Sequence, residues 1–345
     1  MPAASAFERE AEQIPSLLAQ QADQIGARLA PLVARLDQRD PTLFATIARG
    51  SSENAAAFAR YAVSLQLGLP AAPLPPSIAS VYARTLRMER ALVLAISQSG
   101  ASPDVALAAR AARAGGALCV GLLNEAGSAL GQELDIEIPM GAGPERAVAA
   151  SKTFVLSVTA ALHLIAAWGR DEGLRSALAV LPESLVRCGA EDWTVAARAL
   201  TGCAQVLVVG RGPALPIAQE LALKLGEVAG LHARAHSAAE LLHGPISIAS
   251  HATPAIVFAG DRRGHDSVVD AVTHLRAAGA AVVMLAPEAI DTASDQLIQV
   301  PAAQHDLLQP LVALYAAYRF LAQLAHERGR DPDHPPHLEK ATRTR

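Results

Sequence analysis

Short apolar runs alternate with longer helical stretches along most of the chain, and this alternation predicts the fold. The runs lie near residues 43–49, 91–97, 117–123 and 134–140 in the first half and near 204–210, 254–260, 281–287 and 296–301 in the second. Continuously apolar runs are typical of parallel strands that are buried on both faces. We therefore predict an α/β protein with two tandem doubly wound parallel sheets, each a flavodoxin-like three-layer α/β/α unit.

The two halves of the chain repeat one another. The stretch that begins at Arg113 (Arg-Ala-Gly-Gly-Ala-Leu-Cys-Val) is similar to the stretch that begins 163 residues further on at Arg276 (Arg-Ala-Ala-Gly-Ala-Ala-Val-Val). Two other pairs of predicted strands keep nearly the same spacing, so a tandem duplication is the simplest explanation. We expect N-terminal helices over 1–40, a first domain over 41–170, a helical connection over 171–203 and a second domain over 204–345.

Composition and charge exclude several classes of protein. The net charge is −4 and no basic face is apparent, which argues against nucleic acid as a partner. Every long apolar stretch contains a charge or a breaker, so we expect no membrane association. Acidic residues among the first twenty argue against a signal or transit peptide. Scattered cysteines at 119, 188 and 203 fit a reducing cytoplasm and predict no metal cluster.

Small hydroxyl residues follow the second predicted strand. The run Ser97-Gln98-Ser99-Gly100 comes directly after apolar residues 91–96 and precedes a predicted helix over 104–114. The free N–H groups and the dipole of a helix start attract an anion, and serine hydroxyls add donors. Because no Walker pattern is present, a sugar phosphate is expected rather than a nucleotide triphosphate. The alternative is a capped helix after a buried strand.

The second half differs at the corresponding strand end, which reads Asp261-Arg262-Arg263-Gly264. An aspartate at that position would repel a phosphate. We therefore expect only the first half to bind the anion, and the second half to contribute other chemistry.

Three motifs in the second half carry groups that could react. Lys224 and Glu227 share one face of a leucine-rich helix, either as a buried reactive pair or as a surface ion pair. His243 precedes Gly-Pro, which leaves its ring available or makes it a helix-end histidine favoured by the dipole. Lys340 is either a reactive amine or a solvated tail residue. Together with a phosphate anchor, these groups outline aldose–ketose chemistry.

The chain resembles the tandem sugar-isomerase (SIS) family over nearly its full length. It is similar to the isomerase half of glucosamine-6-phosphate synthase and closer still to the type II glucosamine-6-phosphate deaminases. The shared motifs begin, in chain order, at Glu10 (Glu-Ala-Glu-Gln-Ile-Pro), Arg49 (Arg-Gly-Ser-Ser), Ile96 (Ile-Ser-Gln-Ser-Gly), Glu145 (through Lys152), Leu223 (Leu-Lys-Leu-Gly-Glu), Glu240 (Glu-Leu-Leu-His-Gly-Pro) and Asp333 (through Lys340).

The resemblance implies a role for each of these groups. The sugar phosphate would be bound by Ser97, Gln98, Ser99 and Ser102. The sugar itself would be lined by Ser51, Ser52, Lys224 and the backbone near Val148 and Ala149. Glu227 would move the proton between C1 and C2, and His243 of the partner subunit would assist ring opening in a homodimer with shared active sites. Lys340 would form an imine or stabilise the open chain. No cofactor or metal is implied.

Two departures from the synthase pattern bear on the reaction. Pro2 follows Met1 and about 40 residues precede the first predicted strand, so we expect no glutaminase within this chain. Pro336 stands where the synthase has arginine. A Pro-Pro-His sequence at this place is more typical of the deaminases.

The expected activity is therefore a cytoplasmic aminosugar-phosphate deaminase and isomerase, which converts glucosamine 6-phosphate and water to fructose 6-phosphate and ammonia. A related deglycase and an ammonia-dependent aminotransferase are alternatives. A further alternative is a non-catalytic sugar-phosphate-binding regulator, which would need the serines but not Glu227, His243 or Lys340.

Overall fold

A computed structural model describes residues 4–189, 191–259, 263–287 and 297–340 of the protein. The chain divides into two compact units, each built around one five-stranded sheet. The first-sheet unit comprises Ser16–Glu145, Lys152–Ala179 and Glu339–Arg345. The second-sheet unit comprises Met1–Pro15, Arg146–Ser151 and Val180–Leu338.

Both sheets are entirely parallel and share one strand order. The first contains β1 (Leu43–Ile47), β2 (Ala71–Pro73), β3 (Ala91–Ser97), β4 (Leu118–Leu123) and β5 (Ile136–Pro139), in the order β2-β1-β3-β4-β5. The second contains β6 (Gln205–Gly210), β7 (His232–Ser237), β8 (Ala255–Phe258), β9 (Val282–Pro287) and β10 (Leu297–Val300), in the order β7-β6-β8-β9-β10. This order is the flavodoxin-like one, so the predicted pair of doubly wound α/β domains is confirmed.

The helices of the described residues connect these strands. They are α1 (Ala6–Glu12), α2 (Ile14–Arg39), α3 (Ser51–Leu67), α4 (Ser77–Ser80), α5 (Pro103–Ala114), α6 (Lys152–Gly169), α7 (Glu172–Val186), α8 (Thr194–Leu200), α9 (Ala214–Ala229), α10 (Ala238–Leu241), α11 (His265–Ala277) and α12 (Gln309–Glu327). Short 3₁₀ turns lie at Gly131–Glu133 and Pro245–Ile248.

Helices cover both faces of each sheet, which explains the continuous apolar runs. Every residue of β3 and β4 is buried. In the first-sheet unit α5 packs on one face, where its alanines meet alternate residues of β1, β3 and β4, and α3 and α6 cover the other. In the second-sheet unit α10 and α11 cover one face, and α9 and α12 cover the other. Each sheet is therefore the middle layer of a three-layer unit.

Among the described residues, one helix, α6, is long and apolar enough to cross a membrane by length and composition. However, 78% of that window is buried inside the protein, as expected of a core helix that covers a sheet. Its composition is therefore explained by packing.

One strand in each sheet was absent from the prediction based on apolar runs. These strands, β2 and β7, both lie at a sheet edge, and their residues are mostly half-buried or exposed. An edge strand pairs on one side only, so it does not require the apolar run by which buried strands are recognised. The structure thus has five strands per sheet instead of the predicted four.

The compact units are also discontinuous along the chain, unlike the expected domains over 41–170 and 204–345. Helix α1 belongs to the second-sheet unit, where the ring of Phe7 meets that of Tyr318 edge to face at 5.6 Å. The carboxylate of Asp333 accepts the backbone N–H groups of Ala6 and Phe7 at 2.6 and 2.9 Å. Lys340, in contrast, belongs to the first-sheet unit. Asp261 and Arg262, on which the comparison of the two strand ends depends, lie outside the described residues.

Candidate active site

The candidate phosphate site lies where the chain order of the first sheet reverses. Strands β1 and β3 are neighbours there, with Ile47 paired to Ala95. In such sheets ligands bind at the carboxyl ends of the strands beside this switch point. The loop after β1 leads to Ser51 and Ser52. Strand β3 ends at Ser97, and the loop after it carries Gln98 and Ser99. Because the strands are parallel, the structure brings both loops to the same edge of the sheet.

Two helix starts contribute backbone donors at this edge. Ser51 and Ser52 are the first residues of α3, and Ser102 is the N-cap residue of α5. The hydroxyl of Ser102 makes no capping bond to its own helix, so it is available to a ligand. N–H groups at a helix start carry partial positive charge and bind anions. The anion site predicted at this strand end therefore has suitable geometry.

The turn after β3 is closed by its own serines. The hydroxyl of Ser97 accepts the N–H of Gly100 at 3.0 Å, and that of Ser99 accepts the N–H of Ala101 at 3.3 Å. Gly100 has φ of +59°, and a Cβ there would lie 2.0 Å from the Oγ of Ser128. A glycine is therefore needed at this position, both for its backbone conformation and for the close approach of Ser128.

An ion pair that the sequence analysis did not identify joins the two loops. The carboxylate of Asp104 is 1% exposed and accepts two hydrogen bonds from Arg49, whose Nε and Nη2 lie 3.0 and 2.6 Å from Oδ2. Arg49 follows β1, and Asp104 is in the first turn of α5. The arginine neutralises an acid that would otherwise weaken anion binding. The position of Asp104 in the sequence, close after the serine-rich strand end, could have indicated that a cation lies beside it.

In the second-sheet unit, Lys224 is buried between two carboxylates of its own helix α9. Its Nζ lies 2.5 Å from Oε2 of Glu227 and 3.4 Å from Oε1 of Glu220. Lys224 and Glu220 are buried, whereas the side chain of Glu227 is 21% exposed. The buried alternative is therefore correct for Lys224. Glu220 was not among the predicted site residues, although its spacing of four residues from Lys224 could have indicated it.

Glu227 reaches an open cavity of about 560 Å³ in the same unit. Residues of α9 and β7 line this cavity together with Pro336 and Leu338 of the C-terminal segment. The volume lies within the range of small-molecule sites. The arrangement gives one carboxylate a buried cation on one side and access to a ligand on the other.

His243 and the segment 146–151 also belong to the second-sheet unit. His243 follows α10, and its side chain is exposed, so its ring is free to reach a ligand. The segment that carries Val148 and Ala149 is held by the buried carboxylate of Glu10, which accepts the N–H groups of Arg146 and Ala147 at 2.5 and 3.1 Å. Glu10 is a positioning residue that the sequence analysis quoted in a motif without assigning it a role.

Lys340 is paired with a buried acid instead of being a solvated tail residue. Its Nζ donates to Oε2 of Glu145 at 2.8 Å. Thr153 donates to the same carboxylate from its hydroxyl at 2.7 Å and from its backbone N–H at 3.1 Å. Burial, the largest single influence, acts to raise the pKa of Glu145, but the Lys340 charge and the Thr153 donors together hold that pKa below its usual value.

The distribution of lysines is a signal that the sequence analysis did not use. Lysine and arginine together number 29, but lysine occurs only at positions 152, 224 and 340. Lys152 and Lys224 are buried, and Lys340 is partly buried against Glu145. Arginine makes up the rest of the 29, and all three lysines are at least partly buried.

Metal binding has no geometric support in the part of the chain that the structure describes. No group of three or more His, Cys, Asp or Glu side chains is placed there to hold an ion. The three cysteines are free.

The chain belongs to the SIS domain family, since the SIS domain profile matches residues 44–167 and 199–327. A curated relative, the isomerizing glutamine–fructose-6-phosphate aminotransferase of Corynebacterium efficiens, is 34% identical over 313 residues, which cover 86% of this chain and 50% of the relative. The corresponding enzyme of Methanothermobacter thermautotrophicus is 32% identical over 300 residues, or 85% of this chain and 50% of the relative. The chain thus spans about half the length of the curated relatives it matches.

Solved structures show the same fold. A protein of Silicibacter pomeroyi DSS-3, provisionally named a phosphosugar isomerase, is 40% identical with a TM-score of 0.90, covering 96% of this chain and 100% of that one. Glucosamine-6-phosphate deaminase of Thermotoga maritima is 20% identical with a TM-score of 0.77, covering 99% of this chain and 100% of that one. The latter likeness shows the fold alone. Sequence and structure together place the protein in the SIS domain family.

The Glu145–Lys340 pair predicts a specific pH dependence of stability. Because the pKa of Glu145 is lowered in the folded protein, its stabilising contribution is present above the unfolded pKa and is lost as the pH falls through the folded value. Lys340→Gln removes the cation and leaves the buried carboxylate with weaker donors. We expect a loss of about 1–3 kcal/mol at pH 7.5, because breaking a buried pair is costly but Lys340 is partly exposed.

Denaturant unfolding at pH 7.5 and pH 3.5 measures this effect, with Arg28→Gln on the exposed face of α2 as the matched control. The difference between Lys340→Gln and wild type should shrink at the lower pH, whereas the control should stay within about 0.5 kcal/mol of wild type at both. A difference that stays constant with pH would contradict the expected coupling.

Proposed function

We propose that the protein is an aminosugar-phosphate deaminase and isomerase that converts glucosamine 6-phosphate and water to fructose 6-phosphate and ammonia. The observation that carries this proposal is the Lys224–Glu227 pair, in which a half-buried carboxylate lines a cavity of suitable volume. A binding module has no need of a proton acceptor at the edge of its cavity, so a partly exposed carboxylate beside a buried lysine favours an enzyme.

The proposed reaction begins with phosphate binding and ring opening. The serines after β1 and β3 bind the phosphate through hydroxyl and backbone donors, which fixes the sugar by the end that does not react. His243 of the partner subunit transfers a proton to open the ring, which yields the open-chain 2-amino aldehyde. Lys340 stabilises the open chain or forms an imine with the ketose.

Glu227 then moves one proton. It removes the proton from C2 while the C1 carbonyl oxygen takes up a proton, which gives an enaminol with a C1–C2 double bond. It then returns its proton to C1 while the amino group at C2 gives up one proton, which balances the proton taken up by O1 and leaves an imine at C2. Water adds to this imine and ammonia departs, so that C2 becomes the carbonyl of fructose 6-phosphate. A single carboxylate that reaches both carbons suffices, and no metal or redox cofactor takes part in this scheme.

The reverse direction is a second candidate function. The curated relatives of this chain are aminotransferases that match it at 32–34% identity. An enzyme that adds free ammonia to fructose 6-phosphate would use the same residues in the opposite order. A deglycase that acts on a related phosphorylated aminosugar would do so too.

We further propose that the working form is a homodimer in the cytoplasm. The exposed position of His243 supports a role in a neighbouring subunit, because its ring is available beyond its own chain. The three free cysteines are compatible with a reducing compartment.

Removal of one phosphate-binding hydroxyl should weaken substrate binding. Ser102→Ala deletes the hydroxyl that makes no capping bond to α5. The loss of one hydrogen bond to a charged group costs about 1.5–3 kcal/mol, which is roughly a 10- to 150-fold rise in the Kd of glucosamine 6-phosphate. Calorimetric titration measures it, and Ser64→Ala on the exposed face of α3 is the control. Unchanged affinity would place the phosphate elsewhere.

Loss of the proton carrier should separate turnover from binding. Glu227→Gln keeps the size of the side chain but cannot accept a proton. We expect the release of ammonia from glucosamine 6-phosphate to fall by roughly 10²–10⁴-fold while the Kd changes by only about 3-fold, since general base catalysis is worth about this factor. Glu125→Gln, at an exposed loop position, should behave as wild type. If wild type binds the sugar phosphate but neither deaminates nor isomerises it, the regulator alternative is correct.

Shared sites should allow two inactive variants to rescue each other. Glu227→Gln and His243→Ala each inactivate every site of their own homodimer. After subunit exchange, a hybrid dimer contains one site with both residues intact. We therefore expect recovery of about a quarter of wild-type activity at equal mixing, because half of the dimers are hybrids with one working site each. No recovery after exchange confirmed by mass spectrometry would show that each site uses its own His243.

A further inference from the structure

The strongest unassigned feature is the buried carboxylate of Glu145. The side chain of Glu145 is 0% exposed, and this residue precedes α6 in the sequence. Thr153, the second residue of α6, donates two hydrogen bonds to the carboxylate. A helix start stabilises an anion at this point. A further donor is the amine of Lys340, which is 195 residues away in the sequence. The partners of this acid thus include two local donors and one distant cation.

Lys340 itself has little local support. It follows α12 in a stretch of turns, because the described residues 328–340 contain no helix or strand. A long lysine side chain in such a stretch samples many rotamers unless a partner restrains it. The 2.8 Å hydrogen bond to Glu145 provides that restraint.

The same contact leaves Lys340 able to meet a ligand. An ammonium group has three donors, and one of them is directed to Glu145. The side chain of Lys340 is 27% exposed, so part of it faces accessible space. Lys340 is also in the same compact unit as the serines of the candidate phosphate site.

We propose that Glu145 is the positioning residue of Lys340, a buried anchor that holds this amine in the first-sheet unit for contact with the open-chain sugar. The part that concerns the sugar rests on the proposed function, whereas the anchor does not. Glu145 is not a catalytic residue, because it acts only through Lys340.

Amine labelling tests the anchor without reference to activity. The protein is treated with a small acetylating reagent, and the acetylation rate of each lysine is followed by mass spectrometry. Because the chain has only three lysines and two of them are buried, Lys152 and Lys224 serve as internal references. We expect acetylation of Lys340 to be roughly 5- to 20-fold faster in Glu145→Gln than in wild type, since the charge-assisted bond that restrains it is lost.

Glu339→Gln is the matched control, because it removes an exposed carboxylate next to Lys340 in the sequence. It should leave the labelling rate within about 2-fold of wild type. Glu145→Asp keeps the charge but is too short to reach both Thr153 and Lys340, so it should give an intermediate rate. If Glu145→Gln does not fold, Glu145→Asp decides the question. Labelling at the wild-type rate in the folded variants would overturn the proposal.

Kinetics then test the consequence for the proposed reaction. Glu145→Gln should lower kcat by roughly 10- to 100-fold, toward the value of Lys340→Gln, with KM changed less than about 3-fold, because the phosphate donors are untouched. Glu145→Asp should recover part of the lost kcat. Faster labelling with unchanged kcat would support the anchor but remove Lys340 from the proposed chemistry. An inactive wild type that still shows faster labelling in the variant would support the anchor and refute the proposed function.

Discussion

The neighbouring placement of β1 and β3 is the constraint on which the candidate phosphate site depends. These strands are separated in the sequence by β2 and α4, yet they pair directly in the sheet. The helices α3 and α5 follow these strands and pack on opposite faces of the sheet. Both helices therefore start near the carboxyl ends of β1 and β3, and the serines that begin or precede them lie at one edge. Backbone N–H groups at a helix start carry partial positive charge, so the geometry of this edge suits an anion.

Buried acids, each with an assigned partner, organise the surroundings of the candidate residues. Asp104 is neutralised by Arg49, Glu145 by Lys340, and Glu10 by two backbone N–H groups. A buried carboxylate is costly unless such partners are present, so each acid specifies one arrangement of the segments that supply them. In this protein those segments carry the serines, the C-terminal lysine and the stretch around Val148. The contacts that satisfy these buried acids therefore also fix the segments that carry candidate site residues.

The two halves share a strand order but have diverged in chemistry. In the first, the loops after β1 and β3 present hydroxyl groups and helix starts. In the second, the helix after β6 presents Lys224 and Glu227, with Glu227 directed to a cavity. Two three-layer units of the same strand order thus present different side chains.

Elements that are buried on every side could be predicted from the sequence alone. Strands such as β3 and β4 are buried on both faces, so their composition alone identified them, and the repeat showed that there were two such sheets. The serine run and the Lys224–Glu227 spacing are also local, and each was recognised without a structure. Tertiary structure decided what depends on distant partners. The edge strands β2 and β7 are defined by pairing rather than by burial. The pairs Arg49–Asp104 and Lys340–Glu145 join residues 55 and 195 positions apart. A local pattern indicates which side chains a helix or strand will bury. Only the folded chain determines which cationic side chain neutralises a buried acid.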